Sequence, residues 1–293
     1  MTEVAILSDH PCHLGEGPTY DGPSDTLWWF DILEKQLFET KVSAGETTVH
    51  TLPTMASALA YVDDAHQLVA TADGLYLRDI ATGRLQLHTR LEEDNGLTRS
   101  NDGRVHPCGA LWIGTMGRRA EEGAGSIYHF FRGELTRLYG QITIPNAMCF
   151  SPDGRTGYFT DTHAGVLQRV ALDPDTGLPT GEPSTLVDHR GGEGGLDGAV
   201  VDAEGCIWNA RWGAGCIDRY SADGEHLLTI PVPASRPTCP MFVGRDLDRM
   251  IVTSAREGLD AAGLKRDAQA GQTFILDPGV RGLPEARVRV DRS

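Results

Sequence analysis

Six stretches of this sequence can be laid over one another. They are GPTYDGPSDTLWWFDI (17–32), ALAYVDDAHQLVATADG (58–74), DGRVHPCGALWIGTMG (102–117), AMCFSPDGRTGYFTDT (147–162), GAVVDAEGCIWNARWG (198–213) and PMFVGRDLDRMIVTSA (240–255). Each carries an apolar run, a short turn rich in Asp, Gly or Pro, and a second apolar run. With Tyr20, Val62, Val105, Phe150, Val201 and Phe242 taken as equivalent, the steps are 42, 43, 45, 51 and 41 residues. After each unit comes a further stretch that reads as a second hairpin. Examples are the alternation at Leu75-Leu77 and Ile127-His129, the turn at Thr82-Gly83, and GQTFILDPGVRGLPEARVRV (271–290) in the sixth unit. Two hairpins repeating about every 40–50 residues are the pattern of a β-propeller blade.

The expected fold is therefore all-β: a six-bladed β-propeller with four antiparallel strands per blade, spanning 1–293 as a single domain. The segment EVAILS (3–8) reads as a strand that joins the last blade and closes the ring, which removes an open sheet edge. The 35 glycines agree with many tight turns. Only 258–271, GLDAAGLKRDAQAG, has the look of a helix. No G-H…W-D pairing recurs, which argues against a WD40 array.

The formal net charge of −15 disfavours nucleic acid and anionic membrane surfaces as partners. It suits a cation or a neutral small molecule, or serves solubility alone. The first residues lack a basic and then apolar leader, and no run of about 18 apolar residues exists to span a membrane. Cys12, Cys108, Cys149, Cys206, Cys216 and Cys239 are scattered without a C-x-x-C pair, so they read as reduced thiols. The expected address is the cytoplasm and the expected assembly a monomer or weak homodimer.

In a propeller the innermost strands converge on a central channel, so residues far apart in sequence meet there. The loop before each blade's first hairpin supplies Glu16, Ser57, Arg99-Asn101-Asp102, Asn146, Asp197 and Thr238-Cys239 in blades one to six. Glu16, Asn101, Asn146 and Asp197 carry oxygen groups suited to a hard cation of the calcium, magnesium or manganese type. Asp or Asn beside Gly also forms turns, which is the competing reading of each taken alone. Glu16, between Gly15 and Gly17, has no turn or helix role.

Other leads are thinner. His10 and His13 flank Cys12, but no second half of a zinc site follows at standard spacing. His106, His163 and His189 read as turn or rim residues, and G-G-E-G-G (191–195) as a flexible turn before Asp197. Trp28, Trp29, Trp112, Trp208 and Trp212 fit second strands and packing between blades. There is no H-E-x-x-H, no G-x-S-x-G and no phosphate-binding glycine loop.

Several stretches together resemble the gluconolactonase/regucalcin family of six-bladed propellers, which includes bacterial aldonolactonases. They are L-G-E-G-P-x-Y (14–20), R-S-N-D-G-R-V (99–105), W-I-G-T-M (112–116), I-P-N-A-M-x-F-S-P-D-G (144–154) with Y-F-T-D-T (158–162), and D-G-A-V-V-D-A-E-G-x-I-W (197–208). The likeness runs over essentially the whole chain. It implies one divalent cation (Ca, Zn, Mg, Mn or Fe) on the axis, with Glu16, Asn146 and Asp197 as ligands. It moves Asn101 from ligand to substrate contact beside Arg99, and makes Glu121, near the rim, a third substrate-binding residue. It makes Asp197 the catalytic proton acceptor as well. The implied activity is hydrolysis of a sugar lactone. A metal-dependent esterase or phosphotriesterase, or a cation-binding protein without turnover, are the other readings of the same scaffold. Two departures stand out: Leu196 where the family often has Pro, and Ala147 where it often has Gly.

Overall fold

The computed structural model describes residues 3–291. The six units are six four-stranded antiparallel sheets. In the first five, strand order follows the chain, from the channel outward. The innermost strands are Gly15–Asp21, Ala56–Tyr61, Thr98–Val105, Pro145–Phe150, Gly195–Val201 and Pro237–Val243. Each touches the next, and the sixth touches the first, so the sheets form a closed six-bladed ring. Tyr20, Val105, Phe150, Val201 and Phe242 all lie in innermost strands, and Val62 directly follows one. The repeat read from the sequence is the repeat of the blades.

Blade six is built differently from the others. Its outermost strand is Val4–Ser8, from the start of the chain, antiparallel to Thr273–Leu276 with Val4 opposite Leu276 and Ile6 opposite Phe274. The closing strand falls where expected, but residues 277–290 do not complete a hairpin. The outer edge is already occupied by Val4–Ser8, and Pro278 and Pro284 lack the N–H that a ladder needs. The segment instead crosses the face of the ring where the innermost strands end. On that face Gly282 N–H donates to Leu247, Ala203 N–H to Arg281, Val288 N–H to Tyr61 and Arg289 N–H to Gly109. It straps blades two, three, five and six together. The short helix Ala261–Arg266 lies within the stretch expected to be helical, and Asp260 caps it by accepting from Gly263 N–H at 2.7 Å.

The core lies between blades. Val200, Trp208 and Ile217 of blade five pack with Phe242, Met250 and Phe274 of blade six. Trp112 and Ile127 of blade three pack with Met148, Phe150 and Phe159 of blade four. Each such side chain, fully buried, stabilises the fold by about 1.5–3 kcal/mol. Trp28, Trp29, Trp112 and Trp208 are all buried in these seams, as their positions suggested. His106 begins a turn, as one of its two expected places had it, but does not lie at the rim. It is fully buried, stacked edge-on against Phe150, with Nε2 in contact with Gly154 O at 2.8 Å. Side-chain hydrogen bonds also cross the seams: Thr19 to Leu59 O, Ser57 to Ser100, and Thr238 to Gly15 O, the last joining blade six to blade one. Ser57 and Thr238, in blades two and six, thus tie neighbouring blades together.

Candidate functional site

Every innermost strand is bulged near its start. The register slips at Glu16/Thr19, Ala56/Ala58, Ser100/Gly103, Asn146/Cys149, Leu196/Ala199 and Pro237/Pro240. The polar residues read from the sequence as loop residues are therefore strand residues at bulges. A bulge adds one unpaired residue and re-aims its side chain. Six bulges at one level around a ring direct polar groups to the axis. Gly17 permits this in blade one: its φ is +56°, and a Cβ there would stand 2.0 Å from Ser57 O. Ala147 holds the matching position in blade four with φ +55°, although it has a Cβ.

The bulges open onto a cavity of about 320 Å³ lined by Glu16, Arg99, Asn101, Asn146 and Asp197, within the size range of small-molecule sites. Five of the six residues named beforehand for ligation, catalysis or substrate contact thus converge, from blades one, three, four and five. Each is at least nine-tenths buried. Thr162, Trp212, Arg118, Arg119 and Glu257 complete much of the wall and were not singled out from the sequence for it. Trp212 does not share the buried role of the other tryptophans. It is partly exposed in the cavity, with the Arg236 guanidinium 5.3 Å from its ring centre.

Glu121, expected near the rim, lines no part of the cavity. The strand Leu111–Gly117 ends at the cavity mouth, and the turn after it presents Arg118 and Arg119. Glu121 stays exposed and turns back onto the backbone of that turn. Its Oε2 accepts from Arg119 N–H at 3.0 Å and lies where a Cβ on Gly117 would be. These backbone N–H groups, its own first among them, hold its carboxyl below the ordinary range.

The hydrogen bonds define which way each amide faces. Thr162 Oγ1 donates to Leu196 O at 2.6 Å, so it can only accept from Asn146 Nδ2 at 2.9 Å. Asn146 Oδ1 is thereby turned to the channel, where Asn101 Nδ2 donates to it at 2.8 Å. Asn101 Nδ2 also donates to Pro145 O, and Asn101 Oδ1 accepts from Arg99 Nη1 at 2.8 Å. Arg99 Nη1 donates to Ser100 O as well. The guanidinium is anchored by one nitrogen and has its other edge free toward the cavity.

The carboxylates are crowded. Burial, and then the nearby Asp102 carboxylate, push Glu16 up to about 8, against the Gly17 N–H and Arg99. Burial, Glu16 and Asp102 push Asp197 well above the usual carboxylate range. Asp102 is raised by burial too, although Arg104 and the N–H groups of Met148 and Gly103 favour its charge. Glu16 has one oxygen on Gly17 N–H and no partner for the other among the described residues. Two adjacent carboxylates with spare oxygens, beside an amide oxygen aimed the same way, form a hard-donor set that a divalent cation would satisfy. Among the described residues no group of three or more His, Cys, Asp or Glu side chains is arranged to hold a metal, so the set is a mixed carboxylate and amide one. The other thinner leads stay apart from it. His13 faces Glu34, His10 packs on Phe38, and Cys12 is buried in an apolar cluster. The six cysteines are free thiols. No helix among the described residues is long and apolar enough to cross a membrane.

Residues 14–256 match the model of the SMP-30/Gluconolactonase/LRE-like region. A protein of Rhizobium meliloti (strain 1021) named "Putative sugar lactone lactonase" is 50% identical over 284 residues, which are 97% of this chain and 96% of that one. The 6-deoxy-6-sulfogluconolactonase of Pseudomonas putida is 34% identical over 283 residues, 94% of each. Among solved structures, a calcium-binding protein, regucalcin, from Agrobacterium tumefaciens str. C58 superposes with a TM-score of 0.96 at 54% identity, covering 98% of both chains.

Proposed function

Because the chain belongs to the SMP-30/gluconolactonase/LRE-like family, we propose that it is a lactonase that opens a sugar lactone to the aldonic acid with the help of one divalent cation. The observation that carries this reading is the convergence of Glu16, Asn146 and Asp197 with Arg99 and Asn101 on one cavity. A cation store would need the first three; Arg99, held in place by Asn101, adds donors for a neutral, oxygen-rich ring. The names of the relatives, and the calcium-binding description of the similar structure, support the same reading.

Glu16, Asn146 and Asp197 would hold the cation. Bound there, it would supply Lewis-acid polarisation of the lactone carbonyl. An all-oxygen donor set suits calcium, magnesium or manganese best. Asn101 holds the Asn146 amide so that its oxygen, not its nitrogen, faces the channel. Arg99, with one edge anchored, offers the other to ring or hydroxyl oxygens. Asp197 has two carboxylate oxygens and a raised proton affinity, so it can accept a proton from the attacking water. Water adds to the carbonyl carbon, the ring C–O bond breaks, the ring oxygen takes up a proton, and the product acid releases one.

That released proton is the readout. Chelator-treated protein is offered 1,4- and 1,5-aldonolactones in a pH-stat, with single divalent ions restored in turn. Acid release well above the spontaneous rate, dependent on an added ion, is expected. Faster cleavage of aryl esters or organophosphates than of any lactone would favour the esterase reading instead. Cation binding without any turnover would leave only the binding role.

A further inference from the structure

The cavity is electrically lopsided. Blades one and five bring Glu16 and Asp197, and the segment after the second strand of blade six brings Glu257. Blade three brings Arg99, Arg118 and Arg119, while its Glu121 is absent from the wall and caps the backbone of the exposed turn within the field of Arg119. In a ring of six, blade three lies opposite blade six. The Arg118 guanidinium has no ion pair or hydrogen-bond partner among the described residues. It lies close enough to act on Arg99: burial lowers the proton affinity of that guanidinium, Glu257 and Glu16 oppose burial, and the Arg118 charge adds to it. Arg99 is thus compensated by the cavity's own carboxylates, whereas the Arg118 guanidinium, exposed at the mouth of a chain whose net charge is −15, is left to attract an anion from outside.

Resting on the lactonase reading, we propose that Arg118 and Arg119 select lactones that carry an anionic substituent at the end remote from the reacting carbonyl. The carbonyl end of such a ring meets Glu16, Asn146 and Asp197, and its charged end meets the blade-three arginines. A carboxylate, sulfonate or phosphate presents the same chemistry to a guanidinium: several acceptor oxygens and negative charge. Arg99 then contacts the ring, while Arg118 and Arg119, both exposed at the mouth, contact the substituent.

The test compares kcat/KM for glucono-1,5-lactone with that for its 6-phospho and 6-sulfo analogues and for glucaro-1,4-lactone, each with the ion that supports turnover. Preference for at least one anionic lactone by about tenfold is expected, the size of a charge-assisted contact at a partly wet site. The preference should shrink in high salt and collapse toward unity in Arg118→Ala/Arg119→Ala. It should reverse in Arg118→Glu/Arg119→Glu. Which of the three anions gains most identifies the substituent. Calorimetric binding of 6-phosphogluconate against gluconate gives a second readout that needs no turnover. Equal treatment of neutral and charged ligands in both measurements, or a preference that survives the double alanine variant, would overturn the proposal. If no lactone is hydrolysed, the lactonase reading fails, and the binding comparison still decides whether the arginines select anions.

Discussion

Asn101 Nδ2 donates to Asn146 Oδ1 at 2.8 Å, joining blade three to blade four at the level of the cavity. One amide thus serves two neighbours, because its own Oδ1 accepts from Arg99. Asn101→Ala frees both. Loss of a residue that orients a ligand typically costs about 10–100-fold in metal affinity or activity. The variant should lose about 100-fold in kcat/KM on the best lactone and bind its ion about tenfold more weakly by titration. Unchanged ion affinity would show that Asn101 serves the substrate alone.

The raised carboxylates predict a reversed pH dependence of stability in the ion-free protein. Glu16 moves from an ordinary carboxylate range to about 8, and Asp197 and Asp102 move in the same direction. Through these groups the folded state holds more protons than the unfolded chain between about pH 5 and pH 8, whereas His106 and His129, pushed down by burial, act in the opposite sense below about pH 7, so stability falls as pH rises from about 7 to 8. Asp79 and Asp188, shifted downward, finish titrating below it. Thermal unfolding of chelator-treated protein should show Tm dropping from pH 7 to pH 8. Added divalent ion should restore more at pH 8 than at pH 5, because it must displace fewer protons there. A Tm that is flat across this range would mean the carboxylates are not crowded as described.

Asp197→Asn separates function from stability. It removes the proton acceptor and one ligand charge, so turnover should fall by at least about 1000-fold, counting lost ion affinity with lost base catalysis. It also removes a buried like charge beside Glu16, so the chelator-treated variant should unfold several degrees higher than the parent at pH 8. Equal Tm values would argue that Asp197 is already neutral at that pH.

On the opposite face, Arg104 Nη1 meets Glu285 of the C-terminal strap at 3.2 Å, and Nη2 donates to Ala199 O. Burial opposes the Arg104 charge, yet Glu285 first, with Asp102 behind it, keeps the guanidinium protonated. Glu285→Ala leaves that charge buried and should destabilise by about 2–3 kcal/mol, less than for a fully enclosed pair because Glu285 is partly exposed. Denaturant unfolding of Glu285→Leu, Arg104→Met and the double variant should give a double variant more stable than Arg104→Met alone. Additive losses would show the pair to be uncoupled.

Ala147 is fully buried with φ +55°. Left-handed backbone costs a non-glycine residue about 1–2 kcal/mol, roughly balanced on change to Gly by the loss of one buried methyl at about 0.8 kcal/mol. Ala147→Gly should therefore lie within about 1 kcal/mol of the parent, while the β-branched Ala147→Val should lose more than about 3 kcal/mol or fail to accumulate. Denaturant midpoints of the two variants check this.

Much of this was readable from the residues. The six-unit spacing, the closing strand Val4–Ser8 and the helix within 258–271 depend on local pattern: alternation, turn chemistry and capping act over a few residues. Glu16, Arg99, Asn101, Asn146 and Asp197 were legible because equivalent places in repeated units must meet on one axis. The bulges that aim them were not, since a bulge adds a residue without a distinctive composition.

The sequence by itself determined the blades and the polar ring at their inner ends, because repetition converts local pattern into global position. Tertiary structure alone decided what has no repeat. Residues 277–290 look like a hairpin, yet they became a strap once Val4–Ser8 had taken the edge they would have needed. Glu121 is one of several acids in a charged turn, and its exposed carboxylate turned back to meet the N–H groups of that turn. That left Arg118 and Arg119 at the mouth. Trp212 and Glu257 joined the cavity for the same physical reason: where a side chain after a strand ends up depends on which neighbours compete for its space and hydrogen bonds, and those neighbours are assembled only by the fold.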